Sequence, residues 1–144
     1  MAFMGEYNHT VDSKGRLIIP TRFREELGTE FVVTKGLDGC LFVFPQKSWE
    51  EFEEKLRTLP LTRKEARLFV RFFVAGATSC ELDKQGRILV PSTLREFADL
   101  DKDVVLAGVT DRVEIWSKER WIQNNAIGDM DDIAEQMAEL GLNI

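Results

Sequence analysis

The sequence predicts an α+β fold with internal pseudo-twofold symmetry, built from two copies of one unit with helices inserted between and after them. Three observations lead there. Asp12-Ser13-Lys14-Gly15-Arg16-Leu17-Ile18-Ile19-Pro20-Thr21-Arg22-Phe23-Arg24-Glu25 returns as Asp83-Lys84-Gln85-Gly86-Arg87-Ile88-Leu89-Val90-Pro91-Ser92-Thr93-Leu94-Arg95-Glu96, with Asp, Gly, Arg, Pro, Arg and Glu repeated at an offset of 71 residues. Farther on, Val32-Val33-Thr34-Lys35-Gly36 answers to Val104-Val105-Leu106-Ala107-Gly108, Cys40-Leu41-Phe42-Val43-Phe44 to Arg112-Val113-Glu114-Ile115-Trp116, and Trp49 to Trp121, now at an offset of 72. Finally, a unit of about 45 residues is near the size below which a lone domain fails to bury enough surface. Each copy therefore needs a partner, and the nearest is the other copy in the same chain.

The elements follow in order within each copy. Asp12-Ser13-Lys14-Gly15 and Asp83-Lys84-Gln85-Gly86 have the Asp-x-x-Gly spacing of a type I turn closed by a left-handed glycine, a common hairpin tip. Asp12, Gly15, Asp83 and Gly86 are thus turn-forming residues. The arginine after each turn opens an apolar run, Leu17-Ile18-Ile19 or Ile88-Leu89-Val90, that reads as a buried strand stopped by Pro20 or Pro91. A short helix should follow, with Thr21 or Ser92 as N-cap and Phe23 and Leu27 (Leu94 and Ala98) on its inner face. Gly28 supplies a stop in the first copy. A strand pair then closes each unit around Gly36-Leu37-Asp38-Gly39 or Gly108-Val109-Thr110-Asp111. The chain divides into a first repeat at 5–47, a helical segment at 48–75, a second repeat at 76–121 and an acidic helical end at 122–144.

Between the repeats, Ser48-Trp49-Glu50-Glu51 and Thr62-Arg63-Lys64-Glu65 both have the capping-box spacing, so two helices are expected. The first places Trp49, Phe52 and Leu56 on one face and ends before Pro60. The second has Ala66, Phe69, Val70, Phe73 and Val74, and also Leu68 and Phe72, so its apolar residues extend beyond one stripe. That breadth favours contact with another subunit. Near the C-terminus, Met130, Ile133, Met137 and Leu140 lie at 3-4-3 spacing on an acidic helix, which suits docking in a groove; a frayed tail is the other reading.

With 44% hydrophobic and 31% charged residues, the composition is that of an ordinary soluble globular protein. No apolar run approaches the roughly 18 residues of a membrane span, and no basic-then-apolar leader opens the chain, so the expected place is the cytoplasm. Cys40 and Cys80 sit in apolar contexts that suit buried free thiols in a reducing compartment. Catalytic chemistry finds little support. His9 is the sole histidine, no Ser or Cys is set beside it, and neither zinc-type spacing nor a glycine-rich phosphate loop occurs. Neither an enzyme nor a metal or cofactor is expected.

Gly5-Glu6-Tyr7-Asn8-His9-Thr10-Val11-Asp12-Ser13-Lys14-Gly15-Arg16-Leu17-Ile18-Ile19-Pro20, the repeat itself, and Arg67-Leu68-Phe69-Val70-Arg71-Phe72-Phe73 with Ala77 closely resemble the bacterial MraZ regulators over nearly the whole chain. Each repeat alone is similar to the SpoVT/AbrB group of DNA-binding domains. The resemblance implies a swapped-hairpin β-barrel made from both repeats, a ring-shaped homo-oligomer, and sequence-specific binding to double-stranded DNA. It further implies a transcriptional regulator, nucleoid-associated, acting at short direct repeats upstream of the division and cell-wall gene cluster that includes its own gene. The AbrB-type pattern assigns the arginine closing the turn and the arginine of the helix to the DNA face, here Arg16 and Arg24.

Read by their own chemistry, Lys14, Arg16, Arg22, Arg24 and Arg87 are the candidate DNA-binding residues. Lysine and arginine neutralise phosphates, and arginine can bridge guanine O6 and N7. Arg16 and Arg87 have a structural alternative, pairing with Asp12 and Asp83 across the turn, and Arg24, which recurs as Arg95, has one too. The first copy is the more basic in this motif and is the expected reader. A net charge of −6 argues against a broad polyanion binder. Residues 123–144, however, hold five acidic and no basic side chains, so the body is close to neutral. A ring would repeat a weak basic face and gain avidity on tandem sites. The alternative is an interaction module of the same fold, an antitoxin or assembly protein that needs no DNA.

Overall fold

In the computed structural model, which describes residues 2–144, the first repeat runs β1 (Phe3–Thr10), β2 (Arg16–Ile18), α1 (Thr21–Leu27), β3 (Glu30–Lys35), β4 (Leu41–Pro45), α2 (Gln46–Arg57) and α3 (Lys64–Ala75). The second answers with β5 (Thr78–Glu81), β6 (Arg87–Leu89), α4 (Ser92–Phe97), β7 (Asp103–Thr110), β8 (Arg112–Ser117), α5 (Lys118–Asn125) and α6 (Met130–Glu139). The strands that open each repeat pair with the other repeat. β1 lies antiparallel to β7, β5 to β3, and β2 to β6, while β3–β4 and β7–β8 are local hairpins joined through β4–β8. The result is a mostly antiparallel α+β structure: a six-stranded sheet in the order β1-β7-β8-β4-β3-β5 and a separate β2–β6 ribbon.

The pseudo-twofold can be located in the register. Leu17 faces Ile88 in the ribbon and Phe42 faces Glu114 in the sheet, so each pair consists of two equivalent positions. One expected correspondence shifts by a residue. Tyr7 pairs with Leu106 and its counterpart Thr78 pairs with Val33, which makes Val33 equivalent to Leu106 and not to Val105. The connection from α4 to β7 (residues 98–102) is longer than its counterpart from α1 to β3 (28–29), whereas the β7–β8 turn is shorter than the β3–β4 connection, which offsets part of the difference. Matching valines along the sequence cannot reveal this, because Val32-Val33 fits Val104-Val105 equally well in either register. Side-chain alternation is what fixes it, since a slip of one residue would turn every side chain to the wrong face.

Those faces feed two cores. Phe31, Val33, Leu41, Val43, Leu106 and Ile115 point toward the ribbon and α1 and α4, where they meet Leu17, Ile19, Phe23, Ile88, Val90 and Leu94. Val32, Phe42, Phe44, Val105 and Trp116 point the other way, into an aromatic layer with Trp49, Leu56 and Phe73 from α2 and α3. Strands covered on both faces read as continuous apolar runs. Thr34, buried in β3, donates its Oγ1 hydrogen to the Phe73 carbonyl at 2.6 Å and so pins the end of α3 to the sheet. Cys40 and Cys80 are free and buried, and burial raises the Cys80 thiol to about 11.

Several local expectations are corrected. The apolar runs of β2 and β6 alternate: Leu17 and Ile19 are buried while Ile18 is 41% exposed, and Ile88 and Val90 are buried while Leu89 is 60% exposed. The predicted caps do not form. Pro20 and Pro91 hold the N-cap positions of α1 and α4 and have no side-chain acceptor to offer, so Thr21 and Ser92 are the first helical residues and no side-chain cap forms. α2 begins at Gln46, which puts Ser48 within its first turn. At α3, Glu65 binds Arg63 at 2.9 Å in place of closing a capping box with Thr62. Gly28 does end α1, at φ 77°. The C-terminal segment forms α6, started by Asp129, whose Oδ1 accepts from the Asp131 amide. No helix among the described residues is long and apolar enough to cross a membrane.

Candidate nucleic-acid interface

The two Asp-x-x-Gly turns are built alike. Asp12 Oδ1 accepts from the amides of Lys14 and Arg16, both at 2.9 Å, and Oδ2 takes the Arg16 Nε–H at 2.7 Å. Asp83 does the same with the Gln85 amide at 2.8 Å, the Arg87 amide at 2.9 Å and Arg87 Nε at 2.9 Å. These donors, the Arg16 and Arg87 amides foremost, hold both carboxyls below the usual carboxylate range. Gly15 and Gly86 close the turns at φ 84° and 76°, a region that favours glycine. The Arg16–Asp12 and Arg87–Asp83 pairs across the turns thus form, and the outer ends of the arginine side chains stay available. Only Nε of each is tied to the carboxylate, and the Arg16 side chain is 35% exposed and that of Arg87 25%.

Pairing of β2 with β6 brings the turns to opposite ends of one ribbon. The ladder extends past the strands, with the Ile19 amide donating to the Gly86 carbonyl and the Val90 amide to the Gly15 carbonyl, each at 2.9 Å. With Leu17 and Ile88 turned inward, strand alternation directs Arg16, Ile18, Arg87 and Leu89 outward. Arg16 stands opposite Leu89 and Arg87 opposite Ile18, which makes the two arginines diagonal neighbours about 7–8 Å apart. Exposed Lys14 and Lys84 occupy the two turns. The outer face therefore presents two arginines and two exposed aliphatic side chains, with an exposed lysine in the turn at each end.

Arg24 occupies a different kind of position. Its Nε donates to the Ile19 carbonyl at 2.7 Å, and its guanidinium lies where a Cβ on Gly86 would be. Arg95 mirrors it, donating to the Val90 carbonyl at 2.9 Å and lying 2.8 Å from the place of a Gly15 Cβ. Each helix arginine thus clasps the glycine turn of the other repeat, at the flank of the ribbon. Arg22 is exposed on the far side of α1, lining a recess with Phe3, Met4, Glu25 and Glu26. The structure gathers Lys14, Arg16 and Arg87 on one face, sets Arg24 at its edge and leaves Arg22 off it.

Lys84, Arg95, Ile18 and Leu89 were missing from the sequence-derived set. Strand alternation could have found the aliphatic pair, since an inward Leu17 requires an outward Ile18. The lysine and arginine become apparent only when the second repeat is seen to share the face.

Among known proteins, the sequence model of a family described as "MraZ protein, putative antitoxin-like" matches residues 2–72 and 73–139. The division falls within α3, near its end. A relative named Transcriptional regulator MraZ from Moorella thermoacetica is 61% identical over 142 residues, covering 97% of this chain and 99% of its own. Proteins of the same name from Desulforamulus reducens and Lachnoclostridium phytofermentans are 61% and 58% identical, covering 96% and 98% of this chain and 99% of each relative.

Proposed function

The chain belongs to the MraZ family, and from that premise we propose that it is a DNA-binding transcriptional regulator that contacts double-stranded DNA through the outer face of the β2–β6 ribbon. The observation behind this reading is the convergence of Lys14, Arg16, Lys84 and Arg87 on one exposed surface of a chain whose net charge is −6. Lysines at the turns suit phosphates, and the arginines, held by Asp12 and Asp83, suit base edges in the major groove. A two-stranded ribbon is narrow enough to enter that groove. Arg24 and Arg95 serve mainly to hold the turns in place, and Arg22 is peripheral. This reading includes both repeats in the site, where the sequence favoured the first.

Four finer statements belong to the same proposal. The ribbon and sheet together make the swapped-hairpin barrel of the AbrB type, with repeats at 5–47 and 76–121, helices at 48–75 and an acidic helical end at 122–144. Copies assemble into a ring, which lets several weak faces engage tandem short repeats at once. The operator lies upstream of the division and cell-wall cluster, the protein's own gene included. The protein works in the cytoplasm, at the nucleoid. Gel shift of the upstream fragment against excess competitor DNA is the test: a retarded species resisting competitor supports the regulator. No specific shift at low or moderate salt would leave the antitoxin-like interaction module as the better reading.

A further inference from the structure

The face of the ribbon that carries the arginines also carries two side chains that gain nothing from water. Ile18 is 41% and Leu89 60% exposed, at outward positions where strand alternation accepts any polar residue. Lone exposed aliphatics are common on protein surfaces. These two differ in standing on one ladder of three residue pairs, each directly opposite an arginine. Comparison of the repeats sharpens the point. In the exposed turns Ser13 answers to Lys84 and Lys14 to Gln85, so residue type changes freely there, whereas the outward position two residues past the arginine is aliphatic in both copies.

Their spacing suits the edges of bases. Arg16 faces Leu89 and Arg87 faces Ile18, which sets each aliphatic Cβ about 4.5–5.5 Å from that of an arginine. Stacked bases along one strand are about 3.4 Å apart, so an arginine and its aliphatic neighbour span one to two base steps. Both arginines are drawn toward the ends of the ribbon, Arg16 Nε by Asp12 at 2.7 Å and Arg87 Nε by Asp83 at 2.9 Å. The diagonal from Ile18 to Leu89 is therefore the uncharged middle of a face with cations at both ends. A partner that fits must be anionic at its margins and offer small apolar groups at its centre. The major groove of DNA does so: phosphates line its rims, and thymine alone among the four bases projects a methyl group from its floor.

We infer that Ile18 and Leu89 are specificity-determining residues, which recognise thymine by contact with its C5-methyl group one to two base pairs from the guanine that the opposite arginine binds. The inference rests on the ribbon's being the DNA-binding face and names a base that this face selects. Each reading pair draws on both repeats, Arg16 with Leu89 and Arg87 with Ile18. Burial of one methyl group changes affinity roughly fourfold, and of two about 15-fold.

The test compares the full-length protein on the upstream fragment made with thymidine and on the same fragment made with deoxyuridine, which lacks only the methyl group and pairs identically. Affinity is measured by gel shift against excess competitor DNA. Wild type should bind the uracil fragment at least about fourfold more weakly. With Ile18→Ser and Leu89→Ser together, affinity for the thymine fragment should fall by a similar factor and the thymine-to-uracil ratio should approach one, the fold staying intact by circular dichroism. Should that variant unfold, Leu89→Ser alone, at the more exposed position, replaces it and should bring the ratio closer to one. Equal affinity of wild type for the two fragments would overturn the methyl contact alone. A ratio unchanged in the serine variants would do the same, since it would trace the preference to the shape of the DNA. A wild type with no specific shift on the thymine fragment would overturn the DNA-binding reading and this inference together.

Discussion

Replacing Gly86 by alanine probes the clasp that holds the two turns together. Gly86 has a φ of 76°, so an alanine there incurs roughly 1 kcal/mol of backbone strain. Its methyl group would also fall on the Arg24 guanidinium. Arg24 must then move away and give up the 2.7 Å bond from Nε to the Ile19 carbonyl. Hydrogen bonds to charged groups contribute about 1.5–3 kcal/mol, and partial exposure of Arg24 places this one toward the lower end. The total loss is about 2–4 kcal/mol. Gly28 offers the control: its φ is 77° but no atom lies within 4 Å of an added Cβ, so Gly28→Ala should lose only about 1 kcal/mol. In thermal unfolding followed by circular dichroism, these correspond to drops in Tm of about 6–12 °C and about 2–4 °C. A double variant with Arg24→Ala should lose less than the two single losses combined, because the methyl group already displaces that arginine. Equal Tm losses for Gly86→Ala and Gly28→Ala, or strict additivity with Arg24→Ala, would refute the clasp.

Arg16→Ala should leave Tm within a few degrees, since the partly exposed Asp12 pair contributes little, while specific DNA affinity falls roughly 10–100-fold; unchanged affinity in a gel shift would move the base-reading site elsewhere. Lys14→Ala should weaken binding to specific and unrelated DNA alike and reduce the slope of log affinity against log salt by about 0.9, the value for one phosphate contact. A loss restricted to the operator would make Lys14 a base reader instead. Because the folded-state pKa values of Asp12 and Asp83 are depressed, the stability they supply is present above the ordinary carboxylate pKa of 3.8 and is lost as pH falls through their lower folded values. The doubly substituted Asp12→Asn, Asp83→Asn protein should therefore lose less Tm than wild type when pH is lowered from 5 to 2, and an identical acid profile would show that the turns contribute nothing to it.

Legibility in the sequence varied with the range of the interaction. The Asp-x-x-Gly turns were readable because every partner of the carboxylate lies within four residues: Asp12 meets the Lys14 and Arg16 amides and the Arg16 guanidinium whatever the rest of the chain does. The hairpin around Gly36-Leu37-Asp38-Gly39 was readable as well, whereas Gly108, Val109 and Thr110, expected in a turn, belong to β7 and the chain reverses at Asp111. Capping was less so. Ser48 and Thr62 head plausible boxes, but proline geometry at Pro45 and the Arg63–Glu65 pair decide where α2 and α3 begin. At the candidate site, Arg16 and Arg87 lie on the ribbon with Lys14 in its turn, Arg24 flanks it against the Gly86 turn, and Arg22, two helical residues away and so turned nearly opposite, lines a recess off it.

By itself, then, the sequence determined that there are two like units, that each has a turn presenting an arginine, and that neither unit is large enough to stand alone. Those properties rest on local hydrogen bonds and on the amount of apolar surface a short segment can bury. Tertiary structure alone decided that the two turns close opposite ends of one ribbon. Leu17 and Ile88 are remote in the chain, and only their antiparallel pairing, driven by burial of both side chains, brings Arg16 beside Arg87 and lays each helix arginine over the opposite glycine. The site lies across the pseudo-twofold, where neither repeat can form it without the other.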